Sequence, residues 1–111
     1  MLPKYAWYFN NSLEQAWPVW TLKPNDLGLF DVLGNVSNWC QERPKGYPTG
    51  KGVDAVDDEE DEPLTGPADR AYRGAAYIRR AANVRSARRF SGSPTEVYTY
   101  IGFRPARTLR P

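Results

Sequence analysis

The punctuation of this chain constrains its fold more than any other feature. Ten prolines and nine glycines fall among 111 residues. Each proline removes a backbone donor, and each glycine weakens a helix interior. Long helices are therefore not expected, and the elements should be short strands and turns. Apolar area has to come from rings instead. Aromatic residues make up 14% of the chain, with Trp7, Trp17, Trp20, Trp39 and seven tyrosines. Large rigid rings bury much surface per residue, which helps a short chain build a core.

Hydrophobic residues at 41% and charged residues at 25% are ordinary for one globular domain and fit neither wholesale disorder nor a membrane protein. No apolar run approaches the roughly 20 residues of a spanning helix, and Met1-Leu2-Pro3-Lys4-Tyr5 is not a secretory signal. A soluble, cytoplasmic chain is the expectation. Histidine is absent, which removes Ser-His-Asp and Cys-His catalysis and histidine-ligated zinc or iron. A single cysteine, Cys40, leaves no internal disulfide and no cysteine-rich zinc site. Any catalysis must use carboxylates, arginines, tyrosines or one thiol.

Charge is distributed unevenly behind a net of +2. Asp54, Asp57, Asp58, Glu59, Glu60, Asp61 and Glu62 form an acidic run without a basic residue. Residues 68–111 carry ten arginines against Asp69 and Glu96, a net of +8. No lysine accompanies those arginines and no nucleic-acid motif is present, so the expectation is that the acidic run neutralises them or that both are solvated. Nucleic acid is not an expected partner.

Along the chain, residues 5–9 read as a short aromatic strand. Asn11 or Ser12 would cap a helical turn over residues 13–16, ended by Pro18. Pro24-Asn25-Asp26 marks a turn. In residues 28–43, Leu29, Val32, Leu33, Val36 and Trp39 fall at helical spacing, while Gly34-Asn35 equally marks a break between two short elements. Residues 44–69 read as one long acidic surface loop. Strands are expected at 71–78 and 98–107, and a strand or short turn at 81–90. The class is α+β with much irregular structure.

Four motifs then carry a resemblance. Pro24-Asn25, Gly28-Leu29-Phe30-Asp31, Gly34-Asn35-Val36 and Trp39-Cys40 resemble the PNxxGLxDMxGNVWEW signature of the formylglycine-generating enzyme (sulfatase-modifying factor) family. Tyr72-Arg73-Gly74 is similar to its RGGSW strand, residues 84–89 to its RSAxR, and residues 101–107 to its terminal IGFRxAR. The resemblance implies a C-type-lectin-like fold, a small twisted mixed sheet with flanking helices and long irregular loops, with Trp39, Ile101 and Phe103 buried. It also implies that residues 1–111 form a single domain holding only the C-terminal portion of the family domain.

Transferred by position, the copper-binding cysteine pair of the oxygen-dependent members falls on Arg79 and Val84, neither of which is a soft ligand. The family's strand serine is Ala76, and its WEW tryptophan and glutamate are Ser37 and Asn38. No copper or iron site is expected, and no catalytic residue is assigned. The turn that can wrap calcium in the family would here offer Asp31, Gly34, Val36 and Asn38, with one carboxylate fewer than its relatives.

Two readings of function follow. In the first, the chain is a non-catalytic binding module whose loops 75–83 and 90–100 present Tyr77, Arg79, Arg80, Asn83, Phe90, Tyr98 and Tyr100 to a protein, peptide or small molecule. Those segments resemble the variable region of the lectin-like proteins of diversity-generating retroelements. In the second, the chain is a subunit or split half of a formylglycine-generating-type oxidoreductase. The aromatic run 5–9, with Trp17 and Trp20, is expected to form an apolar patch covered in a homodimer.

Overall fold

A computed structural model of the chain describes residues 1–44, 65–107 and 109. The expected loop 44–69 lies largely outside those residues. Four short strands, β1 (Ser37–Trp39), β2 (Arg70–Arg73), β3 (Arg89–Gly92) and β4 (Ile101–Gly102), form one mixed sheet in the order β3-β2-β1-β4. The pairs β1–β2 and β2–β3 are antiparallel, and β1–β4 is parallel. Two 3₁₀ turns, Leu2–Lys4 and Ala81–Asn83, are the helical elements among the described residues. This is the small, lectin-like α+β architecture, with the helical elements among the described residues reduced to single turns.

Pairing in this sheet is set by residue type. Tyr72 lies opposite both Trp39 and Phe90 in register, so three rings from three strands share one face. Their neighbours Arg73 and Arg89, also opposite one another, project to the other face. There both reach Glu42, at 3.7 and 3.6 Å.

The core is small. Ala6, Tyr8, Ala75 and Val84 are buried together, with Leu2, Leu33 and Phe90 packed on them. Small residues let backbones approach closely, and the turns following β2 and preceding β1 do so. Gly34 donates its N–H to the Gly74 carbonyl at 2.6 Å. A Cβ on Gly34 would sit 3.0 Å from the Trp7 nitrogen and nearer still to its carbonyl, and Gly34 has φ +78°. Gly74, at φ +92°, could not carry a Cβ without meeting the Val32 carbonyl at 2.9 Å. Left-handed backbone and close approach both demand glycine at these two motif positions.

Several expectations are corrected here. Residues 5–9 make no strand; they thread Ala6 and Tyr8 into the core. Leu13 and Glu14 have φ of 56° and 58°, the left-handed region, so residues 13–16 are not a right-handed helical turn. Residues 28–43 form bends leading into strand β1, because Gly34 and Asn35 both take positive φ and break the helical spacing. The strand expected at 71–78 stops at Arg73, where Gly74 and Ala75 (φ 58°) turn the chain. Residues 81–90 divide into a 3₁₀ turn and the start of β3, and the terminal strand is reduced to Ile101–Gly102. Phe103, expected in the core, is 81% exposed, and Trp39 and Ile101 are half-buried.

The expected apolar patch is also divided. Trp7 and Trp17 stack on one another at 4.8 Å and 17°. Their indole N–H groups donate to the Thr21 hydroxyl and the Ser12 carbonyl. Trp20 remains 75% exposed, beside Val19.

Candidate functional site: an aromatic face crossed by arginine

The ring row of the sheet extends into the segment before β4. Tyr72 stacks on Phe90 (5.4 Å, 14°) and meets Trp39 edge-on at 5.6 Å. Tyr98 contacts Trp39 at 6.0 Å and Tyr100 at 5.6 Å, and Tyr100 closes on Tyr72 at 6.4 Å. Such offset and edge-on contacts suit ring quadrupoles and hold each ring in place. Tyr72 is buried, and the other four are half-buried.

Arg79 lies across this face. Its guanidinium carbon is 4.5 Å from the Phe90 centroid and 5.7 Å from that of Tyr100. Arg88 also reaches the Phe90 ring, at 5.2 Å. The backbone aims Arg79: its N–H donates to the Ala76 carbonyl, and its carbonyl accepts from the Phe9 N–H, both at 2.9 Å. Behind it, the Ser12 hydroxyl donates to the Tyr77 carbonyl at 3.1 Å, and the Tyr77 N–H donates to Asn35 at 2.8 Å. Burial pushes the Tyr72 phenol above its ordinary pKa, and Tyr100 adds to this. The neighbouring Arg79 pulls the other way.

Of the seven residues expected to face a ligand, the structure gathers Arg79, Phe90, Tyr98 and Tyr100. Tyr77 is buried, its hydroxyl donating to Thr99 Oγ1 at 3.3 Å. Arg80 turns away to cover Phe9 at 5.7 Å. Asn83 ends the 3₁₀ turn, with its N–H donating to the Arg80 carbonyl. Trp39, Tyr72 and Arg88 complete the face and were not anticipated. Strand register is what joins the first two to Phe90, and it could be read only once the pairing of residues 39, 72 and 90 was known.

On another part of the surface, a cleft of about 230 Å³ is lined by Trp20, Asp31, Val36, Asn38, Phe103 and Arg104, among others. It gathers three of the four expected calcium ligands, while Gly34 is buried. Asp31 accepts the Trp20 N–H through Oδ2 at 2.9 Å, and Arg104 donates to the Phe30 carbonyl at 2.6 Å. Among the described residues, no three of His, Cys, Asp and Glu cluster to hold a metal. A donor set of one carboxylate with amide and backbone oxygens suits a hard cation rather than a soft one.

At the positions matching the family's thiols, Arg79 lies over aromatic rings and Val84, 6% exposed, belongs to the core. Cys40 has Glu42, Arg73 and Arg89 as its charged neighbours. Burial first, and Glu42 second, push its thiol above the ordinary value, while the two arginines oppose them.

Residues 2–109 match the model of the sulfatase-modifying factor enzyme 1-like domain. The chain belongs to the sulfatase-modifying factor family. Solved structures similar to it include Treponema denticola variable protein 1, at TM-score 0.76 and 31% identity over 92% of this chain and 35% of that one. The protein CarF is similar at TM-score 0.60 and 27% identity, over 90% of this chain and 31% of its own. Among curated proteins, it is similar to the serine/threonine-protein kinase pkn1 of Chlamydia pneumoniae, 32% identical over 82% of this chain and 14% of that protein. The kinase pkn1 of Chlamydia caviae is 29% identical over 84% and 15%. This sulfatase-modifying-factor-like chain therefore spans about a seventh of the curated relatives' length and about a third of each solved structure's. No helix among its described residues is long and apolar enough to cross a membrane.

Proposed function

We propose that this chain is a binding module whose ligand lies on the aromatic face around Arg79. The observation that carries this reading is the continuous contact of Trp39, Tyr72, Phe90, Tyr98 and Tyr100, with a half-buried arginine crossing them. Tyrosine, tryptophan and arginine supply large contact area at low entropic cost and dominate binding hot spots. Residues on the loops supply Arg79, Tyr98 and Tyr100, while the sheet supplies a fixed floor. The alternative, a split half of a formylglycine-generating-type oxidoreductase, needs a thiol at this face. Arg79 and Val84 hold the corresponding positions, and Cys40 keeps company with charged residues of the opposite face.

Selection of a displayed peptide library on the immobilised chain tests the reading. Recovered peptides should lose binding to Tyr98→Ser and Arg79→Ala while still binding Arg104→Ala, whose side chain borders the cleft. Loss confined to Arg104→Ala would move function to the cleft. Copper-dependent oxidation of a peptide thiol by the purified chain would instead establish the enzymatic alternative.

For the cleft we propose weak calcium binding, with Asp31 and Asn38 as the side-chain donors. The support is the oxygen-only donor set and the place of both residues in the lining of one cleft.

A further inference from the structure

Arg79 and Arg88 converge on one ring, yet neither has a carboxylate partner among the described residues. Both guanidiniums are met by Phe90, at 4.5 and 5.2 Å, and ring faces answer only part of a full positive charge. The Nε of Arg79 is shielded from solvent and has no hydrogen-bond acceptor. A shielded donor without an acceptor is costly, and part of the desolvation that an ion pair requires is already present there. The Tyr72 hydroxyl oxygen lies against the same guanidinium and accepts from it, a neutral partner that leaves the positive charge uncompensated.

Arg79 stands where the resembling family carries a thiol, and Arg88 falls at the unspecified position of its RSAxR motif. Other basic residues nearby are committed elsewhere: Arg73 and Arg89 to Glu42 on the opposite face, and Arg80 to Phe9.

We infer that Arg79 and Arg88 form an anion subsite of the aromatic face, taking a carboxylate attached to a flat or apolar body. The carboxylate pairs with the guanidiniums, and the body lies on Tyr98 and Tyr100. A planar fork favours a planar two-oxygen acceptor, and a compact ammonium does not reproduce it. This deepens the binding reading above and rests on it.

The test is a titration of the isotope-labelled chain, reading arginine Nε–Hε and aromatic resonances by NMR, with benzoate, benzamide and inorganic phosphate as probes. Benzoate should shift the Arg79 and Arg88 side-chain signals together with those of Tyr98 and Tyr100, and benzamide should shift neither arginine. Arg79→Lys keeps the charge and loses Nε, and Arg88→Gln alters an exposed side chain. Each should weaken benzoate about tenfold, the scale of one lost charge-assisted contact. Benzamide acting as strongly as benzoate at the tyrosines would overturn the anion subsite and leave the binding face standing. Phosphate displacing benzoate with higher affinity would overturn the choice of carboxylate. Silence of all three probes at these residues would overturn the subsite.

Discussion

The side-chain amide of Asn35 pairs with the backbone of Trp17 as a second strand would. Its Oδ1 accepts the Trp17 N–H at 2.9 Å, and its Nδ2 donates to the Trp17 carbonyl at 3.0 Å. The Asn35 N–H also donates to the Trp7 carbonyl at 2.7 Å, and its carbonyl accepts from Tyr77 at 2.8 Å. One residue, 3% exposed, thus ties together the Trp7–Trp17 stack and the turn that carries Arg79.

Asn35→Ala should therefore destabilise strongly. It leaves the Trp17 N–H and carbonyl unpaired in partly buried surroundings, at about 1–3 kcal/mol for each unsatisfied group. Asn35→Asp keeps an acceptor and, while protonated, a hydroxyl donor, which it loses on ionisation, so it should cost less than alanine at a pH where the carboxyl is protonated and more where it is charged. Urea denaturation at two pH values checks both. Equal, small losses would show that the amide pair is not a structural tie.

Two glycines of the same motif should respond differently to alanine. Gly28 and Gly34 share a left-handed φ, +75° and +78°. A Cβ on Gly28 meets nothing within 4 Å, so Gly28→Ala should cost only the left-handed penalty of about 1–2 kcal/mol. On Gly34 the same methyl runs into the Trp7 backbone, which adds an overpacking cost of about 1–3 kcal/mol. A denaturant midpoint for Gly34→Ala no lower than that for Gly28→Ala would contradict the close approach.

The sequence revealed the frame better than the local structure. Ordered motifs identified the sheet's family because Gly34, Asn35 and Gly74 are demanded by backbone contacts that few other residues satisfy. Element boundaries were harder to read. Leu13 and Glu14 look helical by composition, yet Asn11 and Ser12 bond to backbone in a non-helical turn. At the candidate site, Arg79, Phe90, Tyr98 and Tyr100 were visible as loop residues of binding type. Trp39 and Tyr72 were not, since cross-strand register brings together residues that are far apart in the chain. Phe103 was misplaced because an apolar residue beside a two-residue strand carries no sign of which way it faces.

Stability should fall in alkali in two steps. Cys40 and Tyr72 are both held protonated by burial, above ordinary values of 9.0 and 10.0. A raised folded pKa gives stability that is complete below the unfolded value and lost as pH climbs through the folded one. These groups leave stability unchanged below about pH 8 and lower it from about pH 9 upward. Cys40→Ser should delay the onset towards the tyrosine step. Melting temperatures across that range decide it, and an unaltered onset in Cys40→Ser would remove the thiol from the account.

Calcium at millimolar concentration should raise the melting temperature modestly, because a ligand that binds only the folded state stabilises it. Asp31→Asn should abolish the rise while retaining an acceptor for the Trp20 N–H. A calcium response that survives in Asp31→Asn would place the ion elsewhere.

The tryptophans should separate by role. Trp17 stacks on Trp7 and donates its indole N–H to the Ser12 carbonyl at 2.6 Å, so Trp17→Ala removes a ring contact and a hydrogen bond together. A loss of about 3 kcal/mol is expected, within the range for truncating a packed aromatic residue. Trp20 is exposed beside Val19, and its backbone N–H rather than its ring makes the bond to Asp31. Trp20→Ser should leave stability within about 0.5 kcal/mol of the parent, as exposed positions do. Of these tryptophans, Trp20 is the one left exposed for self-association through apolar surface. Sedimentation at micromolar concentration should then show a dimer that Trp20→Ser weakens and Tyr98→Ser does not. A monomer in the parent chain would end the self-association idea, and a dimer weakened only by Tyr98→Ser would place the interface on the aromatic face and compete with the ligand proposed there.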